Sequence, residues 1–234
     1  MRYIPWLCVG FTVLLAAILL LCILPKRKSY ERDLEKYKKS LYYRSTRNNY
    51  NMVASDPGLY GEYLVSRILE PHAQDSRFLY NLYIPNYSEL TEIDCLMIHP
   101  AGVFVLESKN LSGKITGTGK AEQWKQKVRG HTNHFYSPIL QNNTHVRALR
   151  RIIGQDVNIH PIVVFGDDCK LKVRHADVIQ RKHLLKAVSR IVNYGYLPMS
   201  KTKLNQLYQQ LKPYTQVSEE EKAKHAARVA QLVP

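Results

Sequence analysis

Ile93-Asp94-Cys95-Leu96-Met97-Ile98-His99-Pro100-Ala101-Gly102-Val103-Phe104-Val105-Leu106-Glu107-Ser108-Lys109-Asn110 is the stretch on which the fold turns. His99-Pro100-Ala101-Gly102 suits a type I turn, with proline at the second place and glycine at the fourth. Two antiparallel strands joined there put Asp94 opposite Glu107, and a G1-type bulge at Gly102 would move the pairing toward Lys109. Glu107 and Lys109 are two apart and share a face. Val103-Phe104-Val105-Leu106 is apolar on both faces, the pattern of a covered central strand. Charges at the end of such a strand cost several kcal/mol each in desolvation unless they are paired or bound to a metal.

Two explanations fit that set. One is a satisfied carboxylate–lysine ion pair that closes the sheet. The other is a catalytic site: two carboxylates supply hard oxygen ligands for Mg²⁺, and a lysine orients water or stabilises phosphate charge.

Outward from this hairpin, Asp56-Pro57 marks a helix start that runs to about Glu70. Strands are expected over 78–84, 92–98 and 103–108. Residues 112–119 are glycine-rich, and 121–127 are polar around Trp124. A helix fits 138–153, a buried strand 159–165, a further strand 176–179, and helices 181–193 and 200–212, with a charged tail from Ser218. This order predicts an α/β or α+β domain with a mixed sheet flanked by helices. The units read as 51–170 for the main domain and 171–234 for a helical region completing or flanking it.

The chain begins differently. Residues 6–24, WLCVGFTVLLAAILLLCIL, carry no charge and lie between Pro5 and Pro25. Nineteen residues at ~1.5 Å each span a ~30 Å hydrocarbon core, so one transmembrane helix is expected. A signal peptide would have a shorter apolar run and a cleavage site, whereas this one meets Lys26-Arg27-Lys28 directly. Residues 26–47 hold nine Lys/Arg against three Asp/Glu. The positive-inside rule then sets the N-terminus outside and the rest in the cytoplasm, with 25–50 as a basic juxtamembrane stalk near anionic headgroups.

Of the formal net charge of +15, the flank supplies +6 and Arg2 one more, leaving +8 for residues 48–234. That remainder points to a polyanion such as DNA or RNA. Beyond the apolar run only Cys95 and Cys169 remain, too few for a disulfide framework and without zinc-ligand spacing. No Walker-type phosphate loop or nucleophilic serine elbow is present.

The ordered set Gly61-Glu62, Ile93-Asp94, Gly102 through Asn110, Gly113-Lys114-Ile115, Trp124, Pro138 and Gln141 resembles the nuclease-related domain (NERD) family. That family is placed in the restriction-endonuclease-like fold, whose signature is an Asp, a spacer and Glu-x-Lys. The resemblance covers roughly residues 57–165. It implies that Asp94 and Glu107 are metal ligands with Glu62 supporting them, that Lys109 is the catalytic lysine, and that Gln141 lines the site. It further implies a Mg²⁺- or Mn²⁺-dependent nuclease acting on DNA or RNA. An inactive module of the same fold, binding nucleic acid or a protein partner near the membrane, is the alternative.

Weaker signals surround these. His131, His134 and His145 lack a fourth zinc ligand and read as ordinary histidines, one of which could contact phosphate. Arg147, Arg150 and Arg151, with Lys120, Lys125, Lys127 and Arg129, form either a phosphate-binding rim or a solvated basic face. The sixteen tyrosines suit packing, with base stacking as the sharper reading.

Overall fold

The turn at Pro100-Ala101 organises the domain, and the computed structural model describes residues 24–231 around it. Strands β1 (Arg77–Asn86), β2 (Glu89–His99) and β3 (Gly102–Lys109) form an antiparallel meander. Register runs from His99–Gly102 to Cys95–Leu106 with no bulge, so Asp94 comes next, across from Glu107. Gly102 adopts φ +136°, and a Cβ there would sit 2.6 Å from the Asn158 carbonyl oxygen, so the turn needs glycine.

Three further strands precede the next helix: β4 (Gly113–Thr116), β5 (Gln123–Val128) and β6 (His131–Tyr136). β7 (Ile159–Phe165) then pairs in parallel with β3, β8 (Cys169–Lys172) with β4, and β9 (Val178–Gln180) with β7. The result is two mixed sheets, β1-β2-β3-β7-β9 and β6-β5-β4-β8, where one was expected. The second sheet escapes the sequence pattern because β4 is four residues long and β6, HTNHFY, is almost wholly polar.

Both faces of β3 are covered. Val103 and Val105 pack with Ala148 and Leu149 of one helix (Pro138–Ile153) and Leu204, Leu207 and Leu211 of another (Lys201–Leu211). Phe104 and Leu106 face Val65 and Leu69 of the Pro57–Leu69 helix, with Leu184 and Val188 of the Leu184–Val192 helix. Each buried Val, Leu or Phe among these contributes about 1.5–3 kcal/mol of transfer free energy. The two sheets join where Trp124 stacks on Phe165, ring centroids 6.0 Å apart.

In chain order the helices are α1 (Leu24–Lys39), α2 (Leu41–Thr46), α3 (Tyr50–Ser55), α4 (Pro57–Leu69), α5 (Pro138–Ile153), α6 (Leu184–Val192), α7 (Lys201–Leu211) and α8 (Glu219–Gln231). Asp56 caps α4 as its sequence predicts, its Oδ1 accepting from the Leu59 N–H at 2.9 Å. The segment expected as a stalk is seated in the domain. Tyr37 and Tyr42 are fully buried, with Tyr37 against Tyr63 at 5.2 Å and Tyr42 against Tyr80 at 5.4 Å. Tyrosines, apolar on the ring and polar at the tip, leave no clean hydrophobic stripe to read. Residues beyond 170 complete the domain through β9, α6 and α7.

The apolar run 6–24 lies outside the described residues except for its last position. Among the described residues no helix is long and apolar enough to cross a membrane. Cys95 and Cys169 are both free and buried.

Candidate active site

Glu107 and Lys109 project from the end of β3 on one face, and Lys109 Nζ lies 2.7 Å from Glu107 Oε1. Glu107 is 1% exposed and Lys109 25%, so the pair runs from the interior to the surface. The second Glu107 oxygen, Oε2, is 3.0 Å from His145 Nε2 on α5, and His145 Nδ1 is 2.9 Å from the Thr91 hydroxyl on β2. With the proton on Nε2, His145 donates to Glu107 and accepts from Thr91, which satisfies both ring nitrogens of a buried side chain. Asn142, one turn earlier on α5, donates to the Val105 carbonyl at 3.1 Å and fixes the helix against β3.

Asp94 reaches the same end of the sheet by a break in β2. Phe78 and Tyr80 lie on the tyrosine side of the sheet, whereas Leu82 and Ile84 lie on the other. On β2, Cys95 and Met97 lie on the tyrosine side, and Ile93 on the other. The alternation therefore reverses at Asn81, which has φ +53°, and at the facing Asp94. Asparagine tolerates that left-handed conformation better than most residues, and such strain concentrates at functional sites. Asp94 Oδ2 accepts the Ser108 N–H at 2.7 Å, between Glu107 and Lys109 in the chain.

Glu62 comes from α4. A Cβ on Gly61 would lie 2.7 Å from Asn110 Cβ, so glycine lets this helix approach the end of β3. The Tyr42 hydroxyl donates to Glu62 Oε2 at 3.0 Å.

The electrostatics are lopsided. Burial first, then the charges of Glu107 and Glu62, hold the Asp94 carboxyl well above the usual range, against the opposing pull of Lys109 and the Ser108 N–H. Burial pushes Glu62 up to about 8, with Glu92 and Glu107 adding to it and the Tyr42 hydrogen bond opposing. Burial also raises Glu92. Glu107 feels the same burial, yet Lys109 and His145 more than offset it and hold it below the usual range. Lys109 is desolvated, but Glu107 and Asp94 keep its ammonium charged and its pKa raised.

Metal fit follows from the donors. Glu62, Asp94 and Glu107 offer hard oxygens with a deficit of positive charge around them, the chemistry a divalent cation relieves. Among the described residues, however, no group of three or more His, Cys, Asp or Glu side chains has metal-holding geometry. Both oxygens of Glu107 face nitrogen partners. Mg²⁺ is commonly held by one or two carboxylates, with water and phosphate oxygens completing its shell. Asp94 and Glu107 fit that sparser demand.

Gln141, expected to line the site, is half-buried in the first turn of α5, and its side chain makes no hydrogen bond to Asp94, Glu107 or Lys109 among the described residues. His145, four residues on and so on the same helix face, makes the contact. Its signal in the sequence was that spacing from Gln141. The arginine rim is mostly engaged elsewhere: Arg150 donates to carbonyls after the end of α5, including Gln155 at 3.1 Å, and Arg151 donates to Asn86 at 2.8 Å. His131 and His134 lie exposed on β6, in the second sheet.

A mixed-sheet α/β domain with carboxylates and a lysine gathered at the end of its central strand is the class defined by this fold and site. The family model for the nuclease-related domain matches residues 57–166, a little under half of the chain. An uncharacterized protein of Bacillus anthracis is 35% identical over 117 residues, covering 49% of this chain and 55% of the relative. The chain thus spans about half the length of that relative. No solved structure matches.

Proposed function

We propose that the chain is a membrane-anchored nuclease that hydrolyses phosphodiester bonds of DNA or RNA with Mg²⁺ or Mn²⁺. The supporting observation is the uncompensated carboxylate cluster beside one lysine: Glu62 and Asp94 are held above their ordinary range next to the Glu107–Lys109 pair. Asp94 and Glu107 would hold the ion, with Glu62 behind them. A divalent cation there supplies Lewis-acid polarisation of a phosphoryl oxygen.

The chain's own groups do the rest. Lys109, partly exposed, offers an ammonium to the non-bridging oxygens, where charge builds in the transition state. His145 and Thr91 hold the Glu107 carboxylate in one orientation. Tyr42 holds Glu62, which links the segment following the proposed anchor to the site. Residues 6–24 would span the membrane, the basic flank 26–47 would meet anionic headgroups, and the domain would act at the cytoplasmic face.

A second reading is an inactive nuclease-like module that binds nucleic acid or a protein partner. It is favoured by the nitrogen partners on both Glu107 oxygens and by the lack of a three-ligand group among the described residues.

The test is the full chain in detergent with labelled single- and double-stranded DNA and RNA, with Mg²⁺ or Mn²⁺ or with chelator. Cleavage that needs the metal and disappears in Glu107→Gln and in Lys109→Met is expected. Cleavage that survives either substitution sinks the proposed site. Binding with no cleavage of any substrate supports the module instead.

A further inference from the structure

The outer face of the second sheet holds five exposed lysines at strand register. Lys114 on β4 lies directly opposite Lys127 on β5 and beside Lys170 on β8. One step along, Thr116 lies between Lys125 and Lys172. Ile115, Trp124 and Leu171 point the other way, into the core that joins the sheets. Neighbouring strands are ~4.8 Å apart and alternate residues along a strand ~6.7 Å, so the five ammonium groups crowd a surface about 10 Å across.

Like charges directly opposed across a sheet are destabilising. Lys114 has such a neighbour on both sides, and none of the five enters an ion pair among the described residues. Edge protection explains lysine on outer strands, but β4 and β5 are the interior strands of this sheet. Interior lysines facing lysines are a stability cost without a folding benefit, which is the mark of a surface kept for an anion.

We infer that this lysine face binds the phosphate backbone of a nucleic-acid strand. The identity of the polyanion rests on the nuclease reading; the binding face itself rests on the register. A bilayer fits less well, because membrane-seated surfaces present Trp, Phe or Leu to the acyl boundary. Here Trp124 is fully buried and Phe135 packs beside it, so that Tyr136, 37% exposed, is the large apolar side chain left in the open. Gln123, Thr132 and His134, exposed on the same face, add hydrogen-bonding groups for phosphate and sugar.

The experiment is fluorescence anisotropy of a labelled single-stranded oligonucleotide with the full chain in detergent and chelator, over a range of salt. The variant K114Q/K127Q/K170Q is compared with the charge-matched control K186Q/K201Q/K203Q, whose lysines lie on α6 and α7 away from the second sheet. Loss of three phosphate contacts makes the slope of log affinity against log salt shallower by about 2. Affinity at ~0.1 M salt should fall at least tenfold, while the melting temperature is unchanged or rises.

Equal affinity and slope in the sheet variant and the parent overturn the inference. Equal losses in the sheet variant and the control also overturn it, since net charge alone would then explain binding. Loss of phosphatidylserine-vesicle binding with oligonucleotide binding intact assigns the face to a membrane and overturns it as well. A parent that binds through these lysines but cleaves nothing leaves the inference standing and rejects the nuclease reading.

Discussion

His145 Nε2 lies 3.0 Å from Glu107 Oε2, and this contact joins α5 to the end of the central strand. Its other nitrogen meets the Thr91 hydroxyl at 2.9 Å. The histidine is thus a clamp between β2 and β3 as well as a partner of the buried carboxylate.

Removing the clamp strands polar atoms in the interior. His145→Ala leaves the Thr91 hydroxyl and one Glu107 oxygen without this partner, at a cost of about 1–3 kcal/mol for a buried unsatisfied group. His145→Gln, which can still donate to Glu107, should recover part of the loss. Urea midpoints check this, and equal midpoints for wild type and His145→Ala would reject the clamp.

The ion pair at the end of β3 predicts strong coupling. Lys109→Met leaves the almost fully buried Glu107 short of its cation, and breaking such a pair costs about 3–5 kcal/mol. Adding Glu107→Gln removes the stranded charge, so the double variant should be more stable than Lys109→Met alone. Additive losses in a double-mutant cycle would show that the two side chains act independently.

Divalent cations should stabilise the fold through Asp94 and Glu107. An ion at 100 times its Kd adds about 2.7 kcal/mol to a native state that alone binds it. Mg²⁺ is expected to raise the melting temperature of the wild type and to leave that of Asp94→Asn nearly unmoved. A rise of the same size in both would place the ion elsewhere.

Acid should loosen the hairpin turn before the pairing of the sheet fails. His99 Nδ1 accepts the Ala101 N–H at 3.0 Å, and His160 Nε2 lies 3.1 Å from the Ala101 carbonyl oxygen. Burial first, then His72, depresses His99, and burial depresses His160. With folded pKa values below the unfolded ones, the unfolded chain takes up more protons, so stability falls as pH drops below about 6.5. His99→Gln should flatten that part of the stability–pH curve, and an unchanged slope between pH 7 and the folded pKa would count against it.

Much of the fold was legible because its signals are local. Asp56-Pro57 announced α4, Pro138 and Gly154 bracketed α5, and Ile159–Phe165 read as a buried strand with the bounds it has. The second sheet was not legible: Lys114, Lys125 and Lys170 look like scattered surface charge until strand pairing aligns them. Residues 25–50, expected as a juxtamembrane stalk, pack on the domain through Tyr37 and Tyr42, side chains that draw no aliphatic stripe in the sequence.

The sequence by itself determined that Lys109 shares a face with Glu107 and that a hairpin brings Asp94 to the same end, in one of two registers. The two-residue period of a strand fixes the first and the proline–glycine turn the second, while the structure selects the register without a bulge. Only the tertiary structure decided that His145 meets Glu107, that Tyr42 holds Glu62, and that Asp94, facing the left-handed Asn81, accepts the Ser108 N–H. Those contacts join residues far apart in the chain. Their partners are chosen by how helices and sheets pack, and no local period records that.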